Sequence, residues 1–175
     1  MKFRVEKFAL DEIDRQLLEA LQDDAKVSLS RLGEKVGLSA PSVMERVRKL
    51  EQAGVIRGYH AVLDARGVDL DVAAFIGVRI QNPDAIESFE QWVEEVPHIL
   101  ECHHVTGGHT LMLKVKVSNT SALEKLIRRI RSAEGVAATE TMVILSTHAE
   151  RYKLPLDVPV EDVDPRAPAR RRRRT

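Results

Sequence analysis

Residues 37–54, GLSAPSVMERVRKLEQAG, decide the fold of the N-terminal part of the chain. Gly37 can end one helix in the left-handed conformation, and Ser39 can cap the next helix through its side-chain oxygen. Pro41 fits the first turn of that second helix, where backbone N–H groups have no helical partner. A helix, a glycine-containing turn and a capped helix with a small polar N-terminus are typical of a DNA-reading helix-turn-helix.

The periodicity of the second helix separates a buried face from an exposed one. At about 100° per residue, Val43, Val47 and Leu50 share one narrow apolar face, with Arg46 on its flank. An ordinary solvated amphipathic helix has the same pattern, so the surrounding sequence has to distinguish the two interpretations. The polar residues on the opposite face are Ser42, Glu45, Arg48, Lys49 and Gln52.

The distribution of charge favours DNA binding over that alternative. The chain has 27 Lys and Arg and 27 Asp and Glu, but six of the arginines lie between Arg166 and Arg174. The rest of the chain is therefore net negative, and contact with nucleic acid must come from a local patch. Residues 26–57 carry seven basic against three acidic side chains, and this basic segment contains the predicted reading helix.

Two more helices are predicted ahead of the reading helix and a strand after it. Residues 10–24 have apolar residues at helical spacing, with Asp11 as N-cap. Ser28 or Ser30 can cap a second helix that ends at Gly37. Residues 55–63 alternate like a half-exposed strand, and a turn follows. We therefore expect the boundary between two domains at residues 67–71.

The pattern from residue 72 onwards predicts a βαββαβ arrangement. Strands are expected at residues 72–80, 99–106, 110–117 and 136–146. A helix follows the Asn82–Asp84 segment, and Asn119 or Thr120 caps another. The predicted fold class is α+β, a winged helix-turn-helix followed by a ferredoxin-like domain. Two helices on one face of such a sheet leave the other face in need of a partner.

Composition sets further limits. A 43% apolar and 31% charged chain is typical of a globular protein, and no apolar run approaches the roughly 20 residues of a membrane span. No signal peptide is recognisable, and the single cysteine, Cys102, fits a reducing cytoplasm. Residues 149–175 are rich in proline and arginine. We expect this tail to be disordered or extended, either simply solvated or in contact with DNA phosphates.

The ordered set of motifs resembles the Lrp/AsnC (feast/famine) transcriptional regulators over residues 10–148. The resemblance implies a DNA-binding domain at 10–70, joined by a strand to a dimerising effector domain at 71–148. It also implies dimers that assemble further, often into octamers, and small effectors, usually amino acids. The motifs are LDEIDRQLL at 10–18, GLS at 37–39, ERVRKLE at 45–51, GVI at 54–56, ECH at 101–103 and VTG at 105–107.

The same resemblance places a ligand loop at the turn between the second and third strands of the second domain. Paired glycines let backbone N–H groups approach an anion closely, although a plain hairpin turn would use them equally well. Amino-acid-binding members often have Gly-Asp, then Tyr or Phe, then Asp in this loop. Because both acids are absent here, we expect a weak or altered amino-acid response. The predicted effector residues are Thr106, Gly107, Gly108, His109 and Thr110.

The predicted DNA contacts lie on the reading helix and its cap. Basic side chains there would hold phosphates or read bases of a palindromic duplex. Glu45 could accept a hydrogen bond from cytosine, but an i, i+4 pair with Lys49 is the favoured interpretation. The full set is Ser39, Pro41, Ser42, Glu45, Arg46, Arg48 and Lys49.

A metal site and an enzyme are the alternatives to a regulator. Cys102, His103, His104 and His109, with His98 nearby, suggest metal binding, but alternate strand residues face opposite sides and no Cys-x-x-Cys or His-x-x-x-His spacing supports it. Siroheme decarboxylases of haem biosynthesis share the two-domain plan. They carry an aromatic-rich stretch where this chain has none, at residues 110–113. We therefore predict no catalytic residues, no metal and no cofactor.

Overall fold

The computed structural model describes residues 8–156. The chain divides into two compact units, one formed by Met1–His60 with Glu150–Thr175 and one by Ala61–Ala149. Each unit is described by itself below. None of the helices in the described range is long and apolar enough to cross a membrane. The N-terminal lead-in and the predicted arginine-rich end of the tail lie outside the described residues.

Three helices form the first unit: α1 at Glu12–Asp23, α2 at Leu29–Val36 and α3 at Ala40–Gln52. Each begins at a predicted cap, because the side chains of Asp11, Ser28 and Ser39 accept hydrogen bonds from backbone N–H groups of the first turn. Gly37 ends α2 with φ of 71°, in the left-handed region that glycine adopts without strain. The helix-turn-helix prediction is confirmed in its caps and its order.

The core of this helical unit is small. Its buried cluster consists of four side chains, one from α1, one from α2 and two from α3. Gly33 lets the turn after α2 fold back closely on the helix, because a Cβ there would overlap the carbonyl oxygen of Leu38. The N–H of Leu38 in turn donates to the carbonyl of Gly33 at 2.9 Å. The four residues of this cluster are Leu17, Leu32, Val43 and Val47, and Leu18 and Leu50 are buried as well.

The strand predicted at residues 55–63 is wrong. The segment has no regular secondary structure, and β-structure in the described part of the chain begins only at Val72. A strand needs a neighbour for its backbone N–H and C=O groups, and this segment pairs with no other described segment. A side-chain hydrogen bond ties it to α3, since the hydroxyl of Tyr59 donates to the carboxylate of Glu51 at 2.9 Å, and Ile56 packs against the core of the helical unit.

The second unit is the predicted βαββαβ domain. Its strands form one antiparallel sheet in the order β2-β3-β1-β4, which confirms the ferredoxin-like topology. β1 has the predicted bounds, whereas β2 and β4 end two and three residues before the predicted ends. Its elements are β1 at Val72–Ile80, α4 at Ala85–Glu94, β2 at Ile99–His104, β3 at Leu111–Val117, α5 at Thr120–Arg131 and β4 at Val136–Val143.

Alternation along the strands gives the sheet one covered and one open face. Ile76 of β1 and Leu113 of β3 are fully buried and pack with residues of α4 and α5 in a cluster of sixteen buried side chains. Their neighbours point the other way, and Phe75 and Met142 remain 37% and 43% exposed. The two are paired across β1 and β4, so they lie side by side on the open face.

Candidate nucleic-acid interface and ligand turn

The outward face of α3 carries most of the predicted nucleic-acid contacts. Pro41, Ser42, Glu45, Arg48 and Lys49 are exposed, as is the cap residue Ser39. The hydroxyl groups of Ser39 and Ser42 are 2.8 Å apart. The opposite face is fixed by burial of Val43, Val47 and Leu50. Together the cap and the buried face hold the exposed side chains on a single rigid helix.

Glu45 and Lys49 form the predicted i, i+4 ion pair, with 2.9 Å between Nζ and Oε1. The hydrogen bond from Lys49 keeps the pKa of Glu45 below its usual value, so the carboxylate is charged at neutral pH. Arg48 makes no ion pair with any residue in the described range. Its guanidinium is thus the basic group of α3 available for a phosphate or a guanine.

Arg46 is placed differently from the other predicted contacts. Its Nη1 donates to Oδ2 of Asp11 at 2.7 Å and to Oδ1 of Asp14 at 2.8 Å. Asp14 is buried and completes a reciprocal capping box with Asp11 at the start of α1. These bonds raise the pKa of Arg46 and lower that of Asp11, for which the backbone N–H of Asp14 is the larger cause. Arg46 therefore joins α3 to the N-terminus of α1.

Met44 is an exposed residue of α3 that the sequence analysis missed. Its side chain is 56% exposed, although an apolar residue on a helix this well packed would normally turn inwards. It lies three residues after Pro41 and four before Arg48, so it shares their face. The signal was available, because Met44 falls outside the apolar stripe of Val43, Val47 and Leu50. An apolar side chain in that position suits the methyl group of thymine.

The turn between β2 and β3 is exposed over residues 105–108. Gly107 has φ of 116°, a conformation that favours glycine, whereas a Cβ at Gly108 would have no atom within 4 Å. Thr110 is fixed to the end of β1, since its N–H donates to Val78 at 2.8 Å and its hydroxyl accepts from the N–H of Ile80 at 3.0 Å. Thr110 therefore holds this end of the turn rigidly against β1, whereas the two glycines of the turn are exposed to solvent.

His109 folds back from this turn onto the open face of the sheet. Its ring lies on Gly77 in β1, where an added Cβ would be 2.7 Å from three ring atoms. Nε2 is 3.1 Å from a carboxylate oxygen of Glu140 in β4. Gly77 and Glu140 were missed as neighbours of the turn. A glycine in the middle of an apolar strand was the available signal, because it often marks a close approach.

The histidine cluster is separated as the predicted alternation requires. Cys102 packs on the core, and burial raises the pKa of its thiol to about 11. His104 contacts Glu90 of α4 at 2.7 Å, while His103 lies 3.2 Å from Glu101. Within residues 8–156, no group of three or more His, Cys, Asp and Glu is arranged to hold a metal ion.

The chain matches two family models, described as the AsnC-type helix-turn-helix domain over residues 10–51 and the Lrp/AsnC ligand binding domain over residues 73–154. It is 37% identical over 148 residues to the leucine-responsive regulatory protein of Escherichia coli K12, covering 83% of this chain and 90% of that one. It is 33% identical over 147 residues to the transcriptional regulator LrpA of Mycobacterium tuberculosis, covering 84% and 98%.

Solved structures agree with these matches. A transcriptional regulator of Neisseria meningitidis in complex with L-Met superposes with a TM-score of 0.81 at 30% identity, covering 85% of this chain and 98% of that one. AsnC of E. coli superposes with a TM-score of 0.79 at 28% identity, covering 85% and 100%. The similarity thus extends over both the helical unit and the sheet unit.

Proposed function

The chain belongs to the Lrp/AsnC family of transcriptional regulators, and we propose that it binds a palindromic DNA site as a dimer or a higher even oligomer. The relatives named above are transcriptional regulators, which favours this function over the decarboxylase alternative. The observation that carries the proposal is the exposed face of α3, where Ser42, Arg48 and Lys49 stand opposite three buried residues. One such helix per chain requires two chains to contact two half-sites.

The open face of the sheet is the surface that we assign to the second copy. Phe75 and Met142 are adjacent and exposed there, so they form a contiguous apolar patch of the kind that a partner surface covers. Next to them, Lys114 donates to Glu101 at 3.1 Å. An apolar centre with a charged border is the composition of a protein interface.

Light scattering combined with footprinting tests this proposal. We expect a dimer or a larger even oligomer at micromolar concentration, protecting half-sites about one helical turn apart or a multiple of it. Phe75→Asp should shift the population towards monomer, while Leu145→Asp, at a residue 90% exposed beyond the end of β4, is the matched control. A stable wild-type monomer would contradict the proposal.

The effector that we propose is an amino acid bound at the turn of residues 106–110. The neisserial relative holds L-Met, and the exposed backbone of Gly107 and Gly108 can approach a carboxylate. No acidic side chain stands in the turn to hold the amino group, so binding should be weak.

Calorimetry with L-Met and L-Leu tests the effector proposal. Gly108→Asp restores an acid where the structure has room for a side chain, and Gly108→Asn is the uncharged control. We expect Gly108→Asp to bind more tightly than either the wild type or Gly108→Asn. Tight binding by the wild type would refute the inference from the missing acids.

A further inference from the structure

Met44 is an apolar side chain among the polar and charged residues of the outward face of α3, and it is 56% exposed. Single exposed apolar side chains are ordinary on protein surfaces, so exposure alone gives Met44 no role. Its position is more informative. Met44 is the fifth residue of α3, and the N-terminal residues of a DNA-reading helix are those that contact base edges.

The two sides of this outward face have different surroundings. On the side of α1, Arg46 bonds to the carboxylates of Asp11 and Asp14 at 2.7 and 2.8 Å. On the same side, Ser42 and Lys49 line a groove together with Asp14. The start of α1 occupies space there, and its carboxylates oppose the approach of phosphates. This side is therefore less suited to face the bases of a duplex.

The other side of the outward face consists of Pro41, Met44 and Arg48, which we call the reading flank. At about 100° per residue, Met44 lies about 40° from Arg48 and about 160° from Arg46. All three residues of the reading flank are exposed, and Arg48 makes no ion pair within residues 8–156. The reading flank thus presents an apolar group with a cation one helical turn further along.

A carboxylate also lies further along this side of α3, at Glu51. It follows Met44 by seven residues, which is about 10 Å along the helix axis. Its carboxylate accepts a hydrogen bond from the hydroxyl of Tyr59 at 2.9 Å. Because the N-terminal part of a reading helix enters the groove, Glu51 is held at the end of α3 that lies away from the bases.

The chemistry of the Met44 side chain matches one group in the major groove. Only thymine presents a methyl group there, whereas the other three bases present hydrogen-bond donors and acceptors alone. A thioether has no donor and is a weak acceptor, so it would leave those groups unpaired. Methionine is also unbranched and polarizable, which lets it pack closely on a methyl group.

We propose that Met44 is a specificity-determining residue that selects thymine in each half-site by packing on its methyl group. The proposal rests on the DNA-binding function proposed above. With the reading flank towards the bases, Ser42 and Lys49 lie towards the phosphates. Burial of one methyl group changes an equilibrium constant about fourfold, which sets the size of the expected preference.

Replacement of thymine by uracil tests the proposal on the full chain. Selection from a random duplex library first identifies the half-sites. Each thymine of the selected site is then replaced by uracil, which lacks only the methyl group, at the symmetry-related positions of both half-sites. We expect one position at which this replacement lowers wild-type affinity about fourfold for each half-site. The ratio of the two affinities is the thymine preference.

Three variants connect the thymine preference to Met44. Met44→Ala should abolish it, and α3 should stay folded because the residue is exposed and alanine favours a helix. Met44→Leu keeps an apolar side chain and should retain the preference. Leu29→Ala is the matched control, because it removes an apolar side chain that is 37% exposed on α2, and it should retain the preference in full.

The outcomes separate this proposal from the DNA-binding function. Equal wild-type affinities for thymine and uracil at every position, selected half-sites without thymine, or a preference that survives Met44→Ala would each overturn the role of Met44 alone. If the full chain selects no sequence and protects no site, the DNA-binding function fails and the role of Met44 fails with it. A change of oligomeric state in Met44→Ala with an unchanged preference would show that Met44 contacts a second copy, which also overturns the proposal.

Discussion

The helical unit and the sheet unit are stabilised in different ways. The helical unit has a cluster of four buried side chains, and its three helices each begin with a side-chain cap. Among the described residues the sheet unit has a cluster of sixteen buried side chains, and of its two helices α5 is capped by the side chain of Asn119 whereas α4 has no side-chain cap. The stabilisation that burial provides scales with the apolar area removed from water. The helical unit therefore depends more than the sheet unit on hydrogen bonds at the ends of its helices. The side chains that order it are therefore next to those that would contact DNA.

The largest effect that we expect is unfolding of the helical unit while the sheet unit stays folded. Val47 is 9% exposed, so Val47→Asp places an unpaired charge in the four-residue core, at a cost of about 3–5 kcal/mol. Hydrogen exchange should show that α1, α2 and α3 lose protection while β1 and β3 keep theirs. Arg48→Asp, one position away and exposed, should leave protection unchanged. Simultaneous loss of protection in both units would contradict the distinction.

The two neighbouring arginines of α3 should separate stability from DNA binding. Arg46→Ala leaves the buried carboxylate of Asp14 without its cation, at a cost of about 1–3 kcal/mol. Arg48→Ala should change stability by less than about 0.5 kcal/mol but weaken DNA binding and lower its salt dependence.

Urea unfolding and titration of duplex DNA measure the two effects. From the sequence alone, both arginines were predicted DNA contacts. With Asp11 and Asp14 holding Arg46, we now expect its removal to act through the position of α3. If neither substitution changed affinity or salt dependence, α3 would not be the reading helix.

Local signals predicted most of the fold. β1 has the predicted bounds because eight of its nine residues are apolar, the exception being Arg79, and the run is followed by a proline at position 83. The caps of α1 and α3 were predictable because a cap acts within three residues of itself. The absence of a strand at 55–63 was not predictable in this way, since alternation shows that a segment can form a strand but not that a partner strand exists.

Contacts distant in sequence explain what the site prediction missed. Arg46 bonds to residues 32 and 35 positions away, and the position of its guanidinium depends on how α1 packs. His109 lies on Gly77 because β1 and β3 have one particular register, which alternation alone leaves open. The turn glycines, by contrast, act locally, and Gly107 has the positive φ that paired glycines permit.

The larger core of the sheet unit should tolerate a disturbance at the ligand turn. Gly77→Ala places a Cβ against the ring of His109 and should cost about 1–3 kcal/mol without unfolding the unit. His109→Ala removes the ring, so the double variant should be more stable than the sum of the single costs predicts. Gly108→Ala, at a position with open space, is the control. Additive costs in thermal unfolding would show that the ring does not rest on Gly77.

The smallest effect that we expect is a loss of stability of the helical unit at acid pH. The pKa of Asp11 lies below its usual value, because it accepts from the N–H of Asp14 and pairs with Arg46. A carboxylate whose pKa is lowered in the folded state stabilises that state at pH values above its unfolded-state pKa, near 4. This contribution is lost as the pH falls through the folded-state pKa. Asp11→Asn keeps a side-chain acceptor for the cap but has no charge to titrate. Urea unfolding between pH 3 and 6 should show a difference in the free energy of unfolding between the wild type and the variant, and this difference should close towards pH 3. A constant difference would mean that Asp11 acts through the shape of its cap and that its charge contributes nothing to the order of α1.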